Sequence, residues 1–304
     1  MNEIHTNDRP FARQTATDGL PSAKSLGFEQ GRSYNKIVAC GGFDSVISAA
    51  GARMRTLVAI PVYNEARYLQ GVLSKVRAYH GDILVVDDGS TDDTPGILAA
   101  ERGLFHIRHE GNRGYGQSLI DAFGFARSHG YDWIITMDCD EQHEPAHIPE
   151  FLAVAASGDV DIVSGSRYLQ RFSDNSHPPD DRREINHRIT GILNGVLGLR
   201  ITDAFCGFKA HRVEAIACLH LTEQGYAFPL QFWVQAVRAG LRIRELPVRL
   251  IYNDPNRHFG GTLDDPHARL RHYLNVLSAE LEKGRTERST SDASVHDVCC
   301  CRPC

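Results

Sequence analysis

Short apolar runs alternate with amphipathic stretches through the middle of this chain. Residues 56–61 and 83–86 are dominated by apolar side chains, and 105–107, 133–137 and 161–163 follow at intervals with room for a helix between most of them. Runs of this length read as buried strands. Within residues 65–80, Leu69, Val72, Leu73 and Val76 fall at helical spacing, one apolar face over two turns. Ser90-Thr91-Asp92-Asp93 opens a helix over 94–102 in the manner of an N-cap, with Pro95 in the first turn where a missing N–H costs nothing. Leu119, Ala122, Phe123 and Ala126 mark a third helix over 117–129. Strands alternating with helices imply right-handed crossovers and a mostly parallel sheet covered on both faces. In such a sheet ligands sit at the carboxyl ends of the strands.

Beyond residue 163 the pattern is less regular. Residues 174–183 form a polar, proline-containing loop, long enough to suggest a mobile functional segment. An amphipathic helix is expected over 185–199, its apolar face turned to the core or, as the rarer use, to a membrane surface. A helix over 226–239 leads into a strand over 242–252. Residues 1–54 and 283–304 are polar and without sustained periodicity, so the expected organisation is a loose N-terminal extension over 1–54, a catalytic domain over 55–282 and a disordered tail over 283–304.

Composition removes several classes of function. A net charge of −5 and a pI near 6.3 argue against a nucleic-acid binder held by phosphate contacts. The first residues carry no apolar run after a basic start, as a secretory signal would, and no stretch approaches the roughly 18 apolar residues of a spanning helix. The expected location is therefore the cytoplasm, with any membrane contact peripheral at its inner face. Four of the eight cysteines (Cys299, Cys300, Cys301, Cys304) crowd the C-terminus and the others are scattered, which is not a disulfide framework.

The chemistry concentrates at strand ends. Ile134-Ile135-Thr136-Met137 runs directly into Asp138-Cys139-Asp140-Glu141-Gln142. Positions i and i+2 of an extended chain share a face, so Asp138 and Asp140 can converge on one point. Two carboxylates so close repel unless a proton or cation is shared, and Mg²⁺ or Mn²⁺ would bind them together with phosphate oxygens. Gln142 adds a neutral oxygen. An isolated Asp-x-Asp is more often a solvated turn; its place at the end of an apolar strand favours function. Asp87-Asp88-Gly89-Ser90 ends a second strand, where an acid can bind a base or ribose while Ser90 or Asp92 caps the next helix. Pro61-Val62-Tyr63-Asn64-Glu65 ends a third and can line a nucleobase pocket.

These blocks, with Asn112-x-Gly114-x-Gly116, Gly165-Ser166-Arg167, Thr202-Asp203…Gly207-Phe208 and Gly225-Tyr226-Ala227-Phe228, resemble the family 2 glycosyltransferases, and among them the dolichyl- or polyprenyl-phosphate sugar synthases. The resemblance runs from about Leu57 to Gly261. It implies a GT-A (Rossmann-like) α/β fold and a single inverting displacement. The donor implied is a nucleotide sugar such as GDP-mannose or UDP-glucose, and the acceptor a polyprenyl or dolichyl phosphate. It also implies that Pro61, Tyr63, Asn64, Glu65, Asp87, Asp88 and Asp138 hold the nucleotide sugar, that Asp138, Asp140 and Gln142 hold the metal, and that Asp140, Arg167, Arg257 and one of Arg182 or Arg183 (Arg183 in the fuller assignment) act in catalysis. An acceptor phosphate is already anionic at pH 7, so arginines rather than a general base suit this chemistry. The rival readings are a glycosyltransferase with a non-lipid acceptor and a nucleotide-sugar-binding protein without catalysis. A nucleotidyltransferase would show a glycine-rich loop after the first strand, which Pro61–Glu65 is not.

Overall fold

The structure is a computed structural model that describes residues 53–253 and 258–291, together with two-residue strands at Ile4–His5 and Val46–Ile47. Its centre is β1 (Thr56–Val62), which pairs in parallel with β2 (Ile83–Asp87) on one side and β4 (Trp133–Thr136) on the other. With β3 (Phe105–Arg108), β5 (Ile162–Ser166), β6 (Lys209–Arg212) and β7 (Ile243–Pro247), the strand order is β3-β2-β1-β4-β6-β5-β7. All run parallel except β6, which is antiparallel to both neighbours, and Ile4–His5, which pairs antiparallel with β3 at the edge.

The strands are apolar on both faces because both are covered. Leu57 and Ala59 of β1 point to one core and Val58, Ile60 and Val62 to the other, the period-2 alternation of a strand. The first core holds α3 (Tyr115–Ser128), α5 (Asp180–Leu197), the short α6 (Val213–Ile216), α7 (Phe228–Arg238) and α8 (Pro266–Ser291). The second holds α1 (Leu69–Arg77), α2 (Thr94–Ala100) and α4 (Ile148–Ala156). The three helices expected between residues 65 and 129 all form: α1 is shorter at both ends, α2 ends two residues early, and α3 begins two residues before the expected start.

Four elements differ from expectation. The helix expected from 185 begins at Asp180, so the preceding loop is shorter; its face of Ile185, Ile189 and Leu193 packs in the core. The strand expected over 242–252 pairs only through Ile243–Pro247. Strand β6 and helix α8 were not among the expected elements, and α8 continues past Lys283, where the tail was expected to begin. The terminal cysteine cluster lies outside the described residues. Among the described residues no helix is long and apolar enough to cross a membrane.

Away from the site, the start of β5 is clamped by charge. Asp161 is buried and receives Arg212 Nη2 at 2.6 Å, Arg242 Nε at 3.0 Å and the Arg242 backbone N–H at 2.8 Å. These bonds outweigh the cost of burial and hold its carboxyl far below the usual range.

Candidate functional site

Parallel pairing brings the carboxyl ends of β1, β2, β4 and β5 to one edge of the sheet. Because β6 runs the other way, the turn that feeds it arrives at that same edge. A cleft of about 650 Å³ opens there.

Its first wall follows β1. Pro61, Tyr63, Asn64 and Glu65 all line the cleft; Tyr63 is 45% exposed and Glu65 only 8%. Asn64 has φ of 56°, a left-handed conformation that asparagine tolerates better than most residues. Its Oδ1 accepts the backbone N–H groups of Thr91 (2.8 Å) and Asp92 (3.3 Å), while its own N–H donates to Ser90 Oγ at 2.9 Å. The Glu65 N–H donates to Thr94 Oγ1 at 3.0 Å. Asn64 therefore fastens the exit of β1 to the loop after β2, a turn-building role that the motif alone does not show.

The two acids at the end of β2 separate. Asp88 lines the cleft and its carboxylate accepts the N–H groups of Arg113 and Gly114, both at 2.8 Å, so it also shapes the turn into α3. Asp87 is fully buried and is not part of the cleft wall: Oδ1 accepts the Ser90 N–H at 2.9 Å and Oδ2 faces Arg108 Nε at 3.6 Å. The structure brings Asp88, not Asp87, to where a ligand could touch it.

Asp138, Asp140 and Gln142 line the cleft beyond the end of β4. Glu141, between them, has φ of 57° and pairs with Lys75 at 2.6 Å, which turns its side chain away. Asp140 Oδ1 accepts the Gln142 N–H at 3.0 Å, fixing the turn. The Asp138 N–H donates to His143 Nδ1 at 3.1 Å, and Tyr115 Oη donates to Asp138 Oδ1 at 3.1 Å. Burial, and then the charge of Asp138, push the Tyr115 phenol well above its ordinary pKa, so it stays a donor. Gly207 lies against the same carboxylate: a Cβ there would sit 2.4 Å from Asp138 Oδ2. Among the described residues no three His, Cys, Asp or Glu side chains form a cage for a metal ion. Two carboxylates and an amide suit a cation such as Mg²⁺ or Mn²⁺, which takes few protein ligands and completes its shell with diphosphate and water.

The opposite wall carries the arginines. Arg167 follows β5 and makes a bidentate pair with Asp203, Nε to Oδ2 at 2.6 Å and Nη2 to Oδ1 at 2.9 Å. Asp203 is fully buried, also accepts Asn186 Nδ2 at 2.8 Å, and is held well below the usual carboxylate range, the pairing with Arg167 outweighing burial. Arg182 lines the cleft, its guanidinium 4.7 Å from the Phe259 ring centre and 5.5 Å from that of Tyr252. Arg183 does not: its side chain is 62% exposed and pairs with Asp180 at 3.1 Å. Of the adjacent pair it is Arg182 that faces the cleft, because neighbouring residues on a helix point about 100° apart. Arg257 lies outside the described residues.

Several lining residues had no signal in the sequence. Tyr115 sits 23 residues from its partner Asp138, and no spacing rule links them. Lys209 is 6% exposed beneath the cleft floor, where burial lowers its pKa, and Nζ donates to the Cys206 carbonyl. Arg269 is 3% exposed, lies 4.5 Å from the Phe259 ring centre and pairs with Asp181 at 2.5 Å. The segment before α5 is tied down too: the Ser176 N–H donates to the Leu250 carbonyl at 2.8 Å, and Arg249 bridges Glu144 and Asp174. Gln231 accepts the Thr222 and Glu223 N–H groups at 2.7 Å and donates to Glu280 at 2.9 Å, outside the cleft.

A mixed sheet of this order, with paired carboxylates at the end of its fourth strand and its cleft at the carboxyl edge, is a GT-A-type α/β fold. The chain belongs to glycosyl transferase family 2, whose model matches residues 57–219. Undecaprenyl-phosphate mannosyltransferase of Micrococcus luteus is 31% identical over 207 residues, 65% of this chain and 84% of that protein. Polyprenol monophosphomannose synthase of Mycolicibacterium smegmatis is 31% identical over 208 residues, 64% of this chain and 76% of that protein. Among solved structures, glucosyl-3-phosphoglycerate synthase from Mycobacterium tuberculosis, in complex with Mn²⁺, uridine diphosphate and glucosyl-3-phosphoglycerate, superposes with a TM-score of 0.55 at 20% identity, over 74% of this chain and 79% of that one.

Proposed function

We propose that this chain transfers a sugar, with inversion, from a nucleotide-sugar donor to a phosphate-bearing acceptor, assisted by Mg²⁺ or Mn²⁺. The observation that carries the reading is the meeting of Asp138, Asp140 and Gln142 with Arg167 and Arg182 around one cleft. In this reading Pro61, Tyr63, Asn64, Glu65 and Asp88 form the nucleotide wall, and Asp87 braces it from behind through Ser90. Asp138, Asp140 and Gln142 hold the cation, which when bound neutralises the leaving nucleoside diphosphate. Arg167, kept rigid by Asp203, and Arg182 gather the donor diphosphate and the acceptor phosphate, two anions that would otherwise repel. The acceptor oxygen attacks the anomeric carbon from the face opposite the leaving group; being anionic, it needs no base.

Two acceptors fit. The names of the Micrococcus and Mycolicibacterium relatives support a polyprenyl phosphate, with mannose from GDP-mannose as the donor sugar. The fold shared with glucosyl-3-phosphoglycerate synthase supports a smaller phosphate-bearing acceptor and a UDP-glucose donor as the second reading. The test is nucleoside diphosphate release from GDP-mannose and UDP-glucose with Mn²⁺ or Mg²⁺, alone, with polyprenyl phosphate and with 3-phosphoglycerate. Release that rises with one acceptor, stops with a chelator and vanishes in Asp140→Ala identifies donor and acceptor together. Absence of release from any nucleotide sugar would remove the transferase reading in favour of a binding protein.

A further inference from the structure

The turn between β3 and α3 is built more tightly than a connector requires. Gly114 has φ of 104°, and a Cβ there would meet the Gln224 carbonyl oxygen at 2.3 Å; one on Gly116 would meet the Glu223 carbonyl at the same distance. Asp88 takes the N–H groups of Arg113 and Gly114, and the Gln117 N–H donates to the Gln224 carbonyl at 3.1 Å. All five contacts fix the backbone around the one side chain between those glycines, Tyr115. Its ring stacks on Tyr226 with centroids 5.9 Å apart and planes 15° off parallel. Its hydroxyl reaches across the cleft floor to Asp138 Oδ1.

A carboxylate at a strand end can rotate about two bonds. The Asp138 carboxylate takes the Tyr115 hydroxyl on Oδ1, has His143 Nε2 3.8 Å from Oδ2, and packs so closely on Gly207 that a Cβ there would stand 2.4 Å from one oxygen and 2.7 Å from the other, contacts that restrict its rotation. We propose that Tyr115 is the positioning residue for Asp138: clamped between Asp88 and Tyr226, it aims that carboxylate and thereby sets the affinity of the site for a divalent cation with nucleoside diphosphate. The inference rests on the proposed function of Asp138. In this proposal Tyr115 acts through Asp138, as the outer partners of metal-binding carboxylates act, whose removal costs about 10–100-fold in affinity.

The test is Mn²⁺ binding, followed by electron paramagnetic resonance of the free ion, in the presence of uridine or guanosine diphosphate. Y115F keeps the ring and its stack and loses only the hydroxyl. It is expected to weaken Mn²⁺ binding by about tenfold at the low end of that range. The Mn²⁺ concentration for half-maximal donor breakdown should rise by the same factor, with the rate at saturating Mn²⁺ within about twofold of wild type. Tyr226→Ala keeps the hydroxyl and removes the stacked partner, and is expected to weaken binding by about threefold, the effect of one lost aromatic pair. A Y115F protein that melts like the wild type and binds Mn²⁺ equally well overturns this inference alone. A wild-type protein that binds no Mn²⁺ with either nucleotide overturns the proposed function and this inference with it.

Discussion

His109 Nδ1 lies 2.7 Å from Asp88 Oδ1, inside the protein, with its other ring nitrogen 2.8 Å from Asp121. Burial alone would favour the neutral ring. The hydrogen bonds to Asp121 and Asp88 outweigh burial and raise the pKa to about 9. An imidazolium between two carboxylates therefore braces Asp88, which in turn holds the turn that presents Tyr115.

Stability should follow that proton. The folded-state pKa is about 9 and the ordinary value 6.5, so this contribution is complete below pH 6.5 and is lost as pH rises through about 9. The shift corresponds to about 3 kcal/mol. Urea unfolding at intervals from pH 6 to 10 should show the midpoint falling over this window, and His109→Gln should flatten the curve. Identical curves for the two proteins would dismiss the brace.

Gly207→Ala tests the contact beneath Asp138. Its φ is not in the left-handed region, so alanine is acceptable to the backbone, but the new Cβ would press on a carboxylate oxygen. Displacing a metal-binding group by about 1 Å can cost about 100-fold. Metal-dependent nucleoside diphosphate release should fall by about that factor while the melting temperature moves by only a few degrees. Retention of full activity would mean that Asp138 can move without consequence.

Arg182→Ala and Arg183→Ala form a matched pair. Arg182 faces the cleft and Arg183 faces solvent. The first should lower acceptor-stimulated release by about 10–100-fold, the range for loss of a charge-assisted contact to phosphate. The second should stay within about twofold. Equal losses would contradict the orientation of α5's first turn.

Asp161→Ala should separate stability from activity. It leaves Arg212 and Arg242 without their shared partner at the end of the sheet opposite the cleft. Asp161 is buried, but both arginines are more than a third exposed and can rehydrate, so losing these bonds should cost about 1–2 kcal/mol. Denaturant unfolding should record that loss, while release per folded molecule remains within about twofold of wild type.

What the sequence disclosed follows from how each element is stabilised. Strands β1, β2 and β4 are legible because both faces are buried and all but their terminal positions are apolar. Strand β6 reads Lys209-Ala210-His211-Arg212, a surface-like tetrapeptide, yet Lys209 and His211 are buried. Burial holds His211 neutral, its pKa lowered to about 3. Only its neighbours on both sides make this segment a strand, and neighbours are not written in four residues. Helix α8 packs Leu270, Tyr273, Leu274, Leu277 and Leu281 against α7 and α5, a helical spacing that the sequence does carry, although the polar residues around it make the segment look like part of a tail. The strand-end motifs indicated which segments meet, but not which member of each pair faces the cleft. Asp87 against Asp88, and Arg182 against Arg183, are settled by the phase of a strand end or a helix start, and a shift of one residue reverses the answer. Arg167 and Asp203 stand 36 residues apart and join only through the fold.

The reversed direction of β6 has a consequence for how the molecule could be rebuilt. The wall running from Pro61 to Gln142 is contributed by one uninterrupted stretch of chain, and the wall from Arg167 to Tyr273 by the next. Between them they meet through Gly207 on Asp138, Tyr226 on Tyr115 and Gln224 on Gln117. If the proposed roles hold, a chimera that spliced the second stretch from another family member, keeping a glycine, a tyrosine and a glutamine at those three seams, should keep the first parent's nucleotide preference and take its acceptor preference from the second.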